Sequence, residues 1–204
     1  MFGTMNNSVK TAVIVVNYNG RGFLDRCLDS LRCQTFSHFQ IIVVDNASND
    51  GSADGIEERF LGIEVIRSGE NIGFAAANNL AVQRVEGCKW IALLNPDAFA
   101  EPDWLLNLHR AAKENPQYSF FGSHMKQYGS PGRLDGTGDT YHLCGLAWRR
   151  ARPPWTACEP CRPPRSAQSR SKTFCLFLAM FRSLAGTASG KSSFNTVAAV
   201  TVSS

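Results

Sequence analysis

One apolar stretch constrains the fold of this chain more than any other sequence feature. No polar side chain occurs from Trp90 to Leu94, and the next three residues are Asn95, Pro96 and Asp97. A short run of this kind is typical of a strand that is buried on both faces in a parallel sheet. Because Pro96 cannot continue the ladder, we expect Asn95 and Asp97 at the carboxyl end of that strand, where open α/β sheets bind ligands.

Strand and helix patterns alternate on both sides of this run. Apolar, β-branched segments predict strands at residues 11–17, 40–45 and 63–67, and a fifth strand at 120–127. Helical spacing of apolar residues predicts helices at 21–32, from Ser52 as N-cap to 59, from the loop at 70–73 to about 85, and at 102–115. This alternation predicts an α/β fold with a mostly parallel sheet and βαβ crossovers.

Charge and composition change near residue 150. Residues 1–150 contain 14 Lys or Arg and 16 Asp or Glu, whereas residues 151–204 contain 7 basic residues and one acid, Glu159. The first part therefore lacks the basic footprint of a nucleic-acid-binding protein. We predict one domain at 1–150 and a tail at 151–204, rich in Pro, Arg and Ser, that is disordered or read out of frame. Its apolar run 174–181 is expected either to pack on the sheet or to promote aggregation.

The sequence predicts a cytoplasmic location. The first apolar run, residues 12–16, is too short for the apolar region of a signal peptide, and the longest apolar run, 174–181, is shorter than the ~20 residues that span a bilayer. Seven cysteines without a framework spacing fit a reducing compartment, and Cys158 and Cys161 form at most half a zinc site. The basic stretch 149–170 leaves open a peripheral association with the inner face of the membrane, although a solvated linker is the favoured interpretation.

Polar residues follow three of the predicted strands at the point where each strand ends. They are Asn17 and Asn19, Asp45 and Asp50, and Asn95 and Asp97. Asn19 and Asp50 each precede a glycine, so an ordinary turn is an equally good interpretation of these two. Because the carboxyl ends of parallel strands meet at one edge of a sheet, the three pairs together predict a polar ligand there.

Four motifs in this order resemble family 2 glycosyltransferases of the rhamnosyltransferase-like branch, which have the GT-A fold. The motifs are Val15-Val16-Asn17-Tyr18-Asn19, Val43 to Ser52, Glu70-Asn71-Ile72-Gly73-Phe74-Ala75 with Asn78-Asn79, and Leu93-Leu94-Asn95-Pro96-Asp97. The resemblance covers residues 10–150 and implies a Rossmann-like, mostly parallel sheet flanked by helices. It also implies that the partner is a nucleoside-diphosphate sugar.

The resemblance assigns roles to particular residues. Asp45 would hold the donor's nucleoside, since an acceptor-only carboxylate can take hydrogen bonds from a base N–H or a ribose hydroxyl. Asp97 would bind Mg²⁺ or Mn²⁺, and one carboxylate suffices when substrate phosphates and waters complete the coordination. The remaining donor-binding residues would be Asn17, Asn19, Asp50, Asn71, Gly73, Asn78 and Asn95.

The resemblance implies an inverting transfer of a hexosyl or rhamnosyl group to a hydroxyl of a glycan or lipid-linked acceptor, in cell-surface polysaccharide synthesis. Such enzymes carry their general base in a Glu-Asp pair of an acceptor half, and no such pair follows Arg150. The acceptor half is therefore expected to be incomplete and the catalytic base absent. Two hypotheses follow, namely an active glycosyltransferase and a catalytically incomplete donor-binding remnant.

Overall fold

A computed structural model describes residues 11–123, 125–126 and 128, and the backbone of five further strands between 134 and 202. The helices are α1 (Leu24–Arg32), α2 (Ile56–Arg59), α3 (Phe74–Val82) and α4 (Trp104–Glu114). The strands are β1 (Thr11–Asn17), β2 (Phe39–Asp45), β3 (Ile63–Arg67), β4 (Trp90–Leu94), β5 (Phe120–Ser123), β6 (Met125–Lys126), β7 (Leu134–Gly136), β8 (Asp139–Tyr141), β9 (Ala147–Arg149), β10 (Ala179–Arg182) and β11 (Val200–Val202).

The first four strands lie next to one another and are all parallel in a seven-stranded sheet. Their order is β4-β1-β2-β3, and each neighbouring pair is parallel. The register places Asn17 beside Asp45 and Val15 beside Leu94. The predicted α/β fold with a mostly parallel sheet is therefore confirmed.

Strand β1 is buried along its whole length because helices cover both faces of the sheet. Val13 and Val15 belong to a core that includes Leu28 of α1 and Leu105 of α4. Ile14 and Val16 lie on the other face, in a smaller core with Ala77 and Ala81 of α3. The β-branched run in β1 thus supplies apolar side chains to two cores at once.

Several predicted element ends are wrong by a few residues. Helix α2 begins after Gly55, which has a φ of 61°, and Ser52 does not cap it. Helix α3 ends at Val82 instead of 85, where Arg84 N–H donates to the Ala81 carbonyl and tightens the last turn. The strand predicted at 120–127 is divided into β5 and β6.

Two strands come from the segment predicted to be a tail. β10 lies antiparallel between β4 and β5, and β11 lies parallel to β5. β10 overlaps the end of the apolar run 174–181, for which packing on the sheet was one expectation. The rest of that segment, including Cys158, Glu159 and Cys161, lies outside the described residues.

No helix in the described part of the chain is both long and apolar enough to cross a membrane.

Leu28 is fully buried in the core between α1 and the sheet. Shortening its side chain should therefore have a large effect on stability. Leu28→Ala is expected to lower the free energy of unfolding by about 2–5 kcal/mol, because the lost side chain leaves a cavity. Urea denaturation measures the change. The matched control is Leu61→Ala at a residue that is 89% exposed, with an expected change within about 0.5 kcal/mol. Equal effects of the two variants would contradict the described packing.

Candidate ligand site at the carboxyl edge of the sheet

The ends of β1, β2 and β4 bring the three predicted polar clusters to one edge of the sheet. Asn17 and Asp45 are register partners on neighbouring strands. The loop after β1 also packs on the loop after β4, because a Cβ built on Gly20 would lie 2.3 Å from Asn17 Oδ1 and 3.5 Å from Pro96 Cβ. Asn95 and Asp97, on either side of Pro96, therefore lie on the same edge as Asn17 and Asp45.

The Asn17 side chain is fully buried and bound within the protein. Its Nδ2 lies 3.2 Å from Asp45 Oδ1, 3.0 Å from Ser48 Oγ and 2.9 Å from Ser52 Oγ, so its two N–H groups are shared among these three acceptor oxygens. The amide thus ties β1 to β2 and to the loop that follows β2. Asn17 was predicted to be a donor-binding residue, and in this structure its Nδ2 supports Asp45 and the loop after β2.

The Asp45 carboxylate is held at one oxygen and accessible at the other. Its Oδ1 accepts from Asn17, and no described residue donates a hydrogen bond to Oδ2. Asp45 as a whole is only 7% exposed. Among the described residues, the buried side-chain polar atom that lacks a hydrogen-bond partner is Asn17 Oδ1, and not an oxygen of Asp45. Asp45 Oδ2 therefore has no hydrogen-bond partner among the described residues, and it can accept a hydrogen bond from a ligand.

Asn19 and Asp50 join the loops that follow β1 and β2. Asn19 Oδ1 accepts from the Asn49 N–H at 2.9 Å, while Asp50 accepts from the N–H groups of Ser52 and Arg21 at 2.9 and 2.8 Å. Hydrogen bonding, first from Ser52 and then from Arg21, lowers the pKa of Asp50 below its usual value. These contacts favour the turn interpretation of both residues, and they leave the two loops in a fixed relation to each other.

The residues before and within α3 are held in a similar way. Asn78 Nδ2 donates to the Phe74 carbonyl of its own helix at 2.9 Å. Gly73 precedes the helix with a φ of 82°, a left-handed value that favours glycine. Asn71 is exposed, and its Oδ1 accepts from Gly73 N–H and from Asn46 Nδ2.

Asn46, Ser48 and Ser52 were not among the predicted site residues. Asn46 is 3% exposed, and it makes side-chain hydrogen bonds to the segment between β3 and α3. The two serine hydroxyls surround the Asn17 amide. All three belong to the motif Val43 to Ser52, but the sequence does not indicate which strand end each of their side chains contacts.

The Asn95-Pro96-Asp97 loop differs from the others because its carboxylate is free. The Asn95 carbonyl accepts from the Cys27 thiol at 3.4 Å and from the Ala98 N–H at 3.1 Å. Asp97 is exposed and makes no hydrogen bond or ion pair with the described residues. No group of three or more His, Cys, Asp or Glu residues within the described ranges could enclose a metal. A single free carboxylate fits a Mg²⁺ or Mn²⁺ ion whose other ligands are phosphates and waters.

The described region also contains a cavity, which lies at the opposite end of the strands from these residues. It is lined by Arg32, Phe39 and Leu61 among others, at the amino ends of β2 and β3. The polar groups that converge on one edge, and not this cavity, therefore define the candidate site.

Because Gly20 lies close to the Asn17 side chain, any side chain at position 20 is predicted to destabilise the folded protein. In Gly20→Ala the new Cβ would meet the immobile, buried Asn17 Oδ1, and we expect a loss of about 1–3 kcal/mol in the free energy of unfolding. Denaturant unfolding measures the loss. Gly122→Ala is the control, because a Cβ there meets nothing within 4 Å. An unchanged stability of Gly20→Ala would contradict the close contact.

The surroundings of Cys27 predict a pH-dependent reactivity. Burial and, to a smaller extent, the nearby Asp97 raise the pKa of the Cys27 thiol from 9.0 to about 12. Since the thiolate is the nucleophile, Cys27 should resist iodoacetamide at pH 8 in the folded protein and react after denaturation. Peptide mass spectrometry compares it with Cys33, which is exposed and free. Equal modification of both thiols in the folded protein would contradict this environment.

Comparisons with known proteins identify relatives of this chain and solved structures with a similar fold. The chain is 24% identical over 161 residues to an N-acetylglucosaminyl-diphospho-decaprenol L-rhamnosyltransferase of Mycobacterium tuberculosis, covering 71% of this chain and 52% of the relative. Its structure resembles that of S. aureus TarS 1-349 in complex with UDP-GlcNAc, with a TM-score of 0.53 and 26% identity over 59% of this chain and 36% of the other.

A second solved structure is similar to the same extent. It is the mannosyltransferase PcManGT from Pyrobaculum calidifontis in complex with GDP-Man and Mn²⁺, with a TM-score of 0.51 and 25% identity over 59% of this chain and 36% of the other. The chain thus spans about half of the length of the curated relative and about a third of each crystallised chain. These likenesses confirm the GT-A fold.

The family model of glycosyl transferase family 2 matches residues 12–174, which include β2, β3, β4, all of β1 except Thr11, and the site at the carboxyl edge of these strands. The chain therefore belongs to glycosyl transferase family 2.

Proposed function

We propose that this chain binds a nucleoside-diphosphate sugar together with Mg²⁺ or Mn²⁺ and transfers the sugar to a hydroxyl of a glycan or lipid-linked acceptor in cell-surface polysaccharide synthesis. The observation that carries the proposal is the pairing of two accessible carboxylate groups, Asp45 Oδ2 and Asp97, on one edge of the sheet. Most of the other side chains named at that edge, such as Asn19, Asn46 and Asp50, hold a loop in place.

The two carboxylates suit different parts of a donor. Asp45 is mostly buried at the end of β2, and its free oxygen can accept a hydrogen bond from a nucleoside N–H or hydroxyl. Asp97 is exposed at the end of β4 and would hold the cation. When bound, the cation would stabilise the negative charge that develops on the leaving nucleoside diphosphate.

The rigidity of the surrounding loops supports the same proposal. A donor must be oriented within fractions of an ångström for transfer, so its binding groups need fixed supports. Asn17 fixes Asp45, and Asn19 and Asp50 fix the two neighbouring loops. Cys27 holds the Asn95 carbonyl and so supports the loop that carries Asp97.

The relatives support the substrate classes without identifying them for this chain. The rhamnosyltransferase acts, by its name, on a diphospho-decaprenol acceptor, and the two solved structures contain UDP-GlcNAc and GDP-Man with Mn²⁺. The donor class and the acceptor class of this chain are therefore proposed on the basis of what these relatives bind.

A catalytically incomplete donor-binding module is the second candidate. It is favoured by the described part of the chain, in which none of the three acids named at this edge is assigned as a general base for the acceptor hydroxyl. Asp50 accepts hydrogen bonds from Ser52 and Arg21, and Asp45 and Asp97 are assigned to the donor and the cation. General-base assistance contributes typically about 10²–10⁴-fold to a rate, so its loss would leave binding intact and transfer slow.

Asp97→Asn tests the metal-dependent part of donor binding. We expect its affinity for UDP or dTDP in the presence of Mn²⁺ to fall about tenfold or more, equivalent to about 1.4 kcal/mol, because a carboxylate ligand to the cation is lost. Without Mn²⁺ the variant and the wild type should bind alike. Isothermal titration calorimetry measures all four combinations.

Asp29→Asn is the matched control, because Asp29 is an exposed acid on α1 that makes no side-chain hydrogen bond in the described structure. It should bind as the wild type does. Equal losses in both variants would indicate a general charge effect and would contradict the role of Asp97. Release of free nucleotide from donor sugars in the presence of an acceptor extract then separates an active transferase from a donor-binding module.

A further inference from the structure

The side chain of Asn46 connects the end of β2 to the segment that leads into α3. Its Nδ2 donates to Asn71 Oδ1 at 2.9 Å, and its Oδ1 accepts from the Ile72 N–H at 3.0 Å and from the Ser68 hydroxyl at 3.3 Å. Ser68 N–H also donates to the Asp45 carbonyl at 3.0 Å. The segment 68–73 is therefore attached at several points to Asp45 and Asn46.

These contacts determine how both amides are oriented. A backbone N–H can only donate, so the Asn46 atom that faces Ile72 N must be Oδ1, and the Asn71 atom that faces Gly73 N must also be Oδ1. The contact between the two side chains is then the Nδ2 of Asn46 donating to the Oδ1 of Asn71. The backbone N–H groups of Ile72 and Gly73 thus determine how the side-chain amides of Asn46 and Asn71 are oriented.

The outward face of Asn71 consequently has a defined polarity. Its oxygen is occupied by Asn46 and Gly73, and its Nδ2 has no partner among the described residues although Asn71 is exposed. Asn71 therefore presents a hydrogen-bond donor to solvent, close to the end of β2, where Asp45 presents an acceptor. A reversed Asn71 amide would leave the Gly73 N–H without this acceptor.

We infer that Asn46 is a positioning residue for the donor site: it holds residues 68–73 on the end of β2 and turns Asn71 so that Nδ2 donates to an oxygen of the bound nucleoside diphosphate. This inference rests on the proposed function. It assigns to Asn46 an effect on binding that passes through Asn71, with no contact of its own to the ligand.

Asn46→Asp tests this inference because it keeps an oxygen for Ile72 and Ser68 but places another oxygen against Asn71 Oδ1. The Asn71 amide should then reverse and present Oδ1 outward, and we expect the affinity for UDP with Mn²⁺ to fall about tenfold. Isothermal titration calorimetry measures the wild type, Asn46→Asp, Asn71→Ala and the double variant. Circular dichroism and thermal unfolding check that each variant is folded.

The double variant separates positioning from other effects of the new carboxylate. If Asn46 acts through Asn71, Asn46→Asp costs little further affinity in the Asn71→Ala background, so the two losses are not additive. Additive losses would show that the added charge or a general disturbance is responsible, and they would overturn the inference. Wild-type affinity of Asn46→Asp would overturn it as well.

Asn71→Asp provides a second test that does not depend on the folding of Asn46→Asp. It keeps the oxygen that accepts from Asn46 and Gly73, and it replaces only the outward Nδ2 by an oxygen. We expect about a tenfold loss of UDP affinity, whereas Asn79→Asp, which adds the same charge at an exposed position of α3, should retain most of the affinity. Equal affinities of Asn71→Asp and Asn79→Asp would overturn the inference.

Uridine and UDP distinguish which oxygen Asn71 meets. A loss with both ligands assigns the contact to the nucleoside, and a loss with UDP alone assigns it to the diphosphate. If the wild type binds none of UDP, dTDP and GDP in the presence of Mn²⁺, the proposed function fails and the positioning role with it. If the wild type binds and the Asn46 variant binds equally well, only the inference about Asn46 fails.

Discussion

The register of β1 between β2 and β4 is the constraint on which the rest of the structure depends. β1 has apolar side chains on both faces, each packed in a different core. A slip by one residue would exchange the two sets and move Asn17 away from Asp45. The Asn17–Asp45 hydrogen bond is therefore both a consequence of the register and the first support of the site at the carboxyl edge.

The polar residues at that edge have two kinds of role. The Nδ2 of Asn17 and the side chains of Asn19, Asn46 and Asp50 make hydrogen bonds to neighbouring strands and loops. Asp97, the second oxygen of Asp45 and the Nδ2 of Asn71 face outward. This division is physically useful, because a site of a few free groups on rigid supports loses little conformational entropy when a ligand binds.

Much of the fold was predictable because its signals are local. The apolar run at Trp90–Leu94 and the β-branched run at Thr11–Asn17 each predict a buried strand, and both strands were found. Element ends were less predictable, since they depend on contacts that form only in the folded chain. Ser52 illustrates this, because its hydroxyl accepts a hydrogen bond from Asn17, 35 residues earlier in the chain, instead of capping the following helix.

The sequence by itself determined the α/β class, the family and the presence of polar groups after three strands, because periodicity and motif order are properties of neighbouring residues. Only the tertiary structure decided which of those groups are free. Asn17 and Asp97 are both polar residues after an apolar strand, yet one is fully buried and the other exposed. The physical reason is that the loops packed beside a polar group either form hydrogen bonds with it or leave it free for a ligand. Those loops come from distant parts of the chain.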